Sequence, residues 1–332
     1  MDAKLIEQLA DKYSQTGQDI NGYLQGLLLS NYLNYWDYIH LDTLLTLQNP
    51  KTDFPDEKIF IVYHQITELY FNLCLHEIRQ IAYNGLDILP NGKNNGWNKE
   101  LNPDFFLERI KRINRYFIAL TTSFDIMVDG MDKNQFTLFR MALLPASGFQ
   151  SAQYRKIEIG CTDLFYLTDK EHRPDLENQK DNLELLLQHI YWKKGATEAQ
   201  SGKKTYTLIQ FENKYMNDFL NLAKEFKDKN IWRKYLTLSE KDQDREDIKQ
   251  ALRMLDVQVN VNWPLVHYKS AVRYLSEDGK DVAATGGTNW QKYLPPRFQK
   301  RIFFPELWTE KEKEEWGKSW VDTHVFLKKQ NA

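Results

Sequence analysis

The sequence predicts an all-α fold, and three observations carry that prediction. Glycine and proline are sparse, 15 and 10 in 332 residues, so few positions break a helix. Segments that alternate apolar and polar residues are rare. Long runs instead repeat apolar residues every three or four positions, the period of a helix with one buried face. The length allows one large domain or two, and with no internal repeat and no clear linker the reading is one helical domain over 1–332.

The elements follow in order. Residues 1–15 make a short amphipathic helix, and Gly17 to Gly26 a polar connection. Leu27 to Gln48 is dense in aromatics. Tyr35 and Tyr38 share a face if this part is helical, while Asp42 equally suits the cap of a new helix over 43–48. Pro50 to Pro55 is a loop. Asp56 then opens a long helix with acids in its first turn and Gly85 beyond its end. Within it Ile59, Val62, Ile66, Leu69 and Leu73 form the conventional core stripe, and His64 shares a mixed stripe with Phe60, Thr67, Glu68 and Phe71. Leu86 to Pro103 carries Asn-Gly twice and reads as a loop. Phe105 to Val128 is a second long helix, with Arg109, Lys111, Arg112 and Arg115 on its polar side.

A helix beginning at Asn134 must end near Leu144, because Pro145 cannot continue the ladder. Ala146, Ser147 and Gly148 form a tight turn, and Gln150 to Ile159 is helical again. Residues 169–204 are polar and charged, a surface excursion. Helices over 206–228 and 240–259 lead into Trp263 and Pro264, which suits the first turn of a helix running to Ser276. Asp278 to Trp290 is a Gly/Ala/Thr loop, Tyr293 to Trp308 a proline- and aromatic-rich close, and 309–332 a charged tail.

Composition excludes several classes. Lys and Arg total 44 against 46 acids, a formal charge of −2, which provides no footprint for nucleic acid or an anionic membrane surface. No apolar run approaches the roughly 18 residues a membrane span needs. The N-terminus is unlike a signal peptide, and Cys74 and Cys161 form neither a CxxC pair nor a disulfide framework, so a cytoplasmic setting is expected. The aromatic share of 14% suits a flat aromatic or macrocyclic ligand, and equally an aromatic-packed core.

The candidate chemistry is narrow. Arg140 lies one turn after Phe136, so a ring and a guanidinium project from one helix face opposite the Ser147-Gly148 turn. That arrangement suits a carboxylate, which guanidinium binds bidentately; an Arg meeting a structural Glu gives the same sequence. His76-Glu77 begins like a zinc-protease HExxH, but Gln80 stands where the second His belongs. His267 is a lone imidazole on a helix, with Lys269 and Arg273 following. A haem needs this from its proximal segment, and a core His beside surface cations looks the same. Ser147 lies in PASGF, not GxSxG, and there is neither a GxGxxG after a strand nor a GxxxxGK[ST] loop.

From Tyr32 to Trp308 several ordered stretches together resemble the tryptophan 2,3-dioxygenase family. The strongest is FRMALLPASGFQSAQYRKIE; DEKIFIVYHQITELYFNLCLHEI and YWDYIHLDTLLTLQ come next, with WPLVHYKSAVRYL, the ATGGT loop and FPELW weaker. The resemblance implies haem b, with L-tryptophan and O2 as substrates, opening of the indole ring to N-formylkynurenine, and a homotetramer. It implies His267 as the haem iron's axial ligand and His64 as the distal histidine that bonds the indole N–H. Phe60 is the aromatic packed on the indole, Arg140 the partner of the substrate carboxylate, and Phe136 a pocket wall. Ser147 and Gly148 are the small pair beside haem and oxygen. Tyr35 and Tyr38 are pocket tyrosines reaching a neighbouring subunit's site, and Thr285 meets the substrate's ammonium and carboxylate. The chain departs from the pattern after His267. The interval to Thr285 is longer, and Thr288, Asn289 and Trp290 stand where small residues are usual. A related haem enzyme acting on another indole or aromatic amino acid, or a non-catalytic haem- or tryptophan-binding helical protein, is the alternative.

Overall fold

A computed structural model describes residues 2–17, 19–30, 33–143, 150–197, 203–277, 280–281 and 294–318. The architecture is all-α, and the one sheet among the described residues pairs Ser276–Glu277 with Lys280–Asp281, antiparallel. The chain divides into two compact units, Met1–Asn49 and Pro50–Ala332.

In the first unit, α1 (Ala3–Gln15) is capped by Asp2, whose carboxylate accepts from the Lys4 amide at 3.0 Å. Where a polar connection was expected, α2 (Ile20–Leu29) forms instead. The Asp19 carboxylate accepts from the amides of Asn21 and Gly22, both at 3.0 Å, and this cap offsets the helix-weakening glycines at 22 and 26. Two single turns follow, Tyr35–Tyr38 and Leu41–Leu44, separated by His40 at φ 52°. Asp42 therefore lies inside the second turn and does not cap a helix at 43–48. None of the unit's described residues is buried.

In the second unit, α3 (Asp56–Ala82) buries Tyr63, Thr67, Phe71, Cys74, Ile78 and Ile81. The stripe expected to be core is only partly so: Ile59 packs half-buried against the core and Val62 is half-buried, while Ile66, Leu69 and Leu73 are 40%, 57% and 43% exposed. The reason is which face the neighbours cover. On α4 (Pro103–Ser123) Phe117 packs 6.1 Å from Phe71, and on α6 (Ala152–Cys161) Tyr154 packs 5.5 Å from it. Gly160 permits the close crossing, since a Cβ there would stand 2.7 Å from Ile78 Cγ2.

The second long helix is divided: α4 ends at Ser123, and a short helix, Asp125–Asp129, continues past Phe124. Two of its arginines are more than a solvated face. Buried Glu77 accepts from Arg109 Nη1 at 3.1 Å and from the Tyr116 hydroxyl at 3.2 Å, with Arg112 Nη1 at 3.6 Å, so the carboxylate is compensated. α5 (Lys133–Phe139), capped by Asp132, passes at Arg140 into a 3-10 turn, Arg140–Leu143, so the α-helix ends earlier than Pro145 alone requires. Asp56 Oδ2 accepts from the Asp132 amide at 2.6 Å, and Gln135 Oε1 accepts from the Asp56 amide at 3.2 Å. The starts of α3 and α5 are thereby tied together.

Between 169 and 204 the polar surface is underlain by Leu176, Leu186, Leu187, Ile190 and Trp192, all buried. α7 (Tyr206–Phe226) follows as expected. The helix read over 240–259 starts as a turn, Glu240–Gln243, then runs as α8 (Glu246–Val257). No new helix begins at Trp263: a π turn, Gln258–Asn262, leads without interruption into α9 (Trp263–Leu275). At the close, Thr309 and Glu312 form a capping box on Glu310–Glu314, and Trp316 is fully buried.

Candidate functional site

Two histidines on different helices are held in the same way. On α3 the His64 Nδ1 lies 2.7 Å from the Phe60 carbonyl oxygen, and on α9 the His267 Nδ1 lies 2.8 Å from that of Trp263. A carbonyl oxygen only accepts, so each Nδ1 carries the hydrogen and each Nε2 keeps a free lone pair.

Aromatic rings join the two imidazoles into one cluster. Phe60 lies 4.1 Å from His64, which meets Tyr63 edge-on at 6.3 Å. Tyr63 in turn meets Phe124 at 5.7 Å, and Phe124 lies 4.4 Å from His267. The Trp263 ring contacts His267 from its other neighbour position, also at 4.4 Å. Burial pushes the His267 pKa down to about 4, the Trp263 carbonyl opposes that, and the nearby His64 adds to it. His64 keeps part of its ring open to solvent. Protein crowding around the remainder lowers its pKa, against the Phe60 carbonyl and Glu68. Both imidazoles are therefore neutral near pH 7.

The third contribution comes from α5. The Phe136 ring is 6.3 Å from Phe60 and 4.4 Å from Tyr274 of α9, and Phe139 is 6.0 Å from Phe60. Directly after Phe139, Arg140 is 8% exposed, and its Nη1 is buried without a hydrogen-bond partner among the described residues. A buried cationic donor left unpaired is costly, and a carboxylate is the group that would satisfy it.

Of the residues singled out in the sequence, His64, Phe60, Phe136 and His267 thus share one ring cluster, with Arg140 at its α5 edge. Tyr35 and Tyr38 belong to the first unit and are 71% and 74% exposed. Ser147, Gly148 and Thr285 lie outside the described residues. Lys269 and Arg273 point to acids, 3.1 Å from Asp125 and 3.4 Å from Asp129. Trp263, Phe124 and Tyr274 were not anticipated, although the four-residue spacing from Trp263 to His267 was there to be read. Among the described residues no group of three or more His, Cys, Asp or Glu could hold a bare metal ion. Cys74 and Cys161 are buried, and burial raises both thiols well above their usual range. No helix of the described residues is long and apolar enough to cross a membrane.

An all-helical body with neutral imidazoles, and a guanidinium with one orphaned buried nitrogen among the described residues, around one aromatic cluster has the chemistry to hold a flat ring bearing an anion. Comparison with known proteins sharpens that class. Residues 27–184 match the family model described as tryptophan 2,3-dioxygenase. A tryptophan 2,3-dioxygenase of Ruegeria pomeroyi is 30% identical over 83% of this chain and 91% of its own length. One from a Ruegeria species is 36% identical over 51% of this chain and 54% of its own, and one from Polaromonas naphthalenivorans 27% over 84% and 91%. The chain belongs to the tryptophan 2,3-dioxygenase family.

Proposed function

We propose that this chain is a haem-dependent dioxygenase that opens the indole ring of L-tryptophan with O2, giving N-formylkynurenine, the first step of kynurenine-pathway tryptophan catabolism. One observation carries the assignment of roles: two imidazoles with free Nε2 atoms meet in one aromatic cluster beside a buried guanidinium whose Nη1 has no partner among the described residues.

The residues present fit a haem b group. His267 offers a neutral nitrogen whose other ring N–H is held by a backbone carbonyl, the second bond that ligating histidines use to fix tautomer and ring direction. The haem, when bound, supplies the oxygen chemistry. Arg140 pairs with the substrate carboxylate, and Phe60 and Phe136 wall the indole. His64, a hydrogen-bond acceptor at Nε2, takes the indole N–H and sets the ring's orientation without serving as an obligatory base. Ser147, Gly148 and Thr285 keep the roles the family resemblance implies.

The working form is a homotetramer of one-domain subunits in the cytoplasm. The first unit buries none of its described side chains, and Tyr35 and Tyr38 are free to reach a neighbouring copy's site. The exposed Ile66, Leu69 and Leu73 stripe on α3 is a second apolar surface that another subunit would cover. The test is to reduce haem-loaded protein anaerobically, then add tryptophan and oxygen, following the haem spectrum and product absorbance together. A five-coordinate ferrous histidine spectrum followed by N-formylkynurenine is the expected result. Haem bound without product would overturn the substrate, and no haem binding would overturn the whole reading.

A further inference from the structure

The π turn just before α9, with the proline that follows it, leaves the Val259 carbonyl without a helical backbone donor. The π turn at Gln258–Asn262 takes up one residue more than an α turn between α8 and α9. The Trp263 amide donates back to Gln258, five residues earlier. Val259 would receive that amide in an α ladder; in a π ladder its donor would be residue 264, a proline with no N–H. Fully buried Val259 is served by side chains instead. The Tyr154 hydroxyl donates to its carbonyl at 3.1 Å and Arg301 Nη2 at 3.4 Å. The same Arg301 Nη2 donates to the Tyr154 oxygen at 3.0 Å, its Nη1 to Glu158 at 2.6 Å, and its Nε to the Asn260 side chain. Asn260 donates to Asp256 at 2.7 Å. That carboxylate also accepts from the amides of Phe303 and Phe304, at 2.9 and 3.1 Å, and from the Trp308 indole at 3.1 Å.

We propose that Tyr154, together with Arg301, is a positioning residue for the haem ligand: by satisfying the Val259 carbonyl it holds the π turn open and so sets where His267, two turns on, presents Nε2. The same residues closed into an α turn would rotate everything beyond by about 100°. Glu158 and the Asp256 cluster keep the clamp in place from the other side. The proposal rests on His267 being the iron ligand, as assigned above.

The test uses Y154F, P264A and the double variant, with two readouts. One is hydrogen exchange of the amides over 260–267 in haem-free protein; the other is the iron–histidine stretching band of the ferrous haem-loaded protein. Y154F keeps its ring packing, so a thermal midpoint near the parent's is expected, with exchange about fivefold faster and the band displaced or broadened. P264A restores a backbone N–H beside the orphaned carbonyl, and adding it should return both readouts toward the parent. Unchanged exchange and band in Y154F, or a defect that P264A leaves untouched, would reduce Tyr154 to packing. If Y154F does not fold, folding of the double variant is the expected rescue, and its failure overturns the proposal. A parent protein with no iron–histidine band would instead sink the assignment of His267, leaving hydrogen exchange to decide the role of the π turn.

Discussion

The His267 Nδ1 stands 2.8 Å from the carbonyl oxygen of Trp263, one turn back on α9. This contact does two things. It fixes the tautomer, leaving Nε2 as the free lone pair, and it seats the imidazole on the residue that closes the π turn. His64 repeats the device on α3, 2.7 Å from Phe60. Among the described residues each imidazole is oriented by a backbone carbonyl and neither by a carboxylate.

The two histidines therefore separate by experiment. His267→Ala should strip or cripple haem binding, while His64→Ala should retain haem and slow turnover. Titrating haem into both purified variants decides it, and equal loss of haem would refute the division of roles.

Arg140→Leu removes the orphaned donor. Tryptophan binding should weaken by roughly 2–5 kcal/mol, the cost of leaving a buried charge partner unpaired, and appear mainly in KM. An unchanged KM would make Arg140 a structural residue.

Acid should destabilise the haem-free protein through His267. Its pKa falls from the ordinary 6.5 to about 4 on folding, so the unfolded chain takes the proton first. The stability it contributes is complete above about 6.5 and lost as pH falls toward 4. Asp256 acts in the opposite sense. Burial raises it from 3.8 to about 6, so its contribution is lost as pH rises through that range. In thermal melts between pH 4 and 6.5, His267→Ala should show a smaller gain in midpoint with pH than the parent, Asp256 being common to both. Parallel curves would exclude the His267 contribution.

Gly160→Val places a side chain where Ile78 Cγ2 already stands 2.7 Å from the Cβ position. The overpacked crossing of α3 and α6 should cost about 1–3 kcal/mol. A denaturant midpoint equal to the parent's would show that the helices can part at no cost.

The exposed stripe on α3 predicts an oligomer effect without a folding effect. Leu69→Asp, at a position 57% exposed, should leave the far-UV spectrum unchanged and the subunit stable to within about 0.5 kcal/mol. The assembly should shrink in light scattering. A variant of unchanged mass would remove this face from the interface.

The sequence by itself determined the helical class, because apolar residues recur every three or four positions in its long runs; first-turn acids and a closing glycine located α3, and the same period placed α4, α6 and α7 to within a few residues. It also singled out His64, Phe60, Phe136, Arg140 and His267, since motif order survives in one dimension. What it did not determine was which of two apolar faces of α3 turns inward. Ile66, Leu69 and Leu73 read as core and Phe71 as part of a mixed stripe, and only the packing of α4 and α6 reverses them. The Asp19 cap starts α2 at Ile20, inside the stretch whose glycines read as a polar connection. The π turn, the pairing of Arg109 with Glu77 and the approach of Phe124 to His267 join residues far apart in the chain or hang on where a side chain from another helix lands. Periodicity reports which residues avoid water; tertiary structure alone decides which partner they meet when they do.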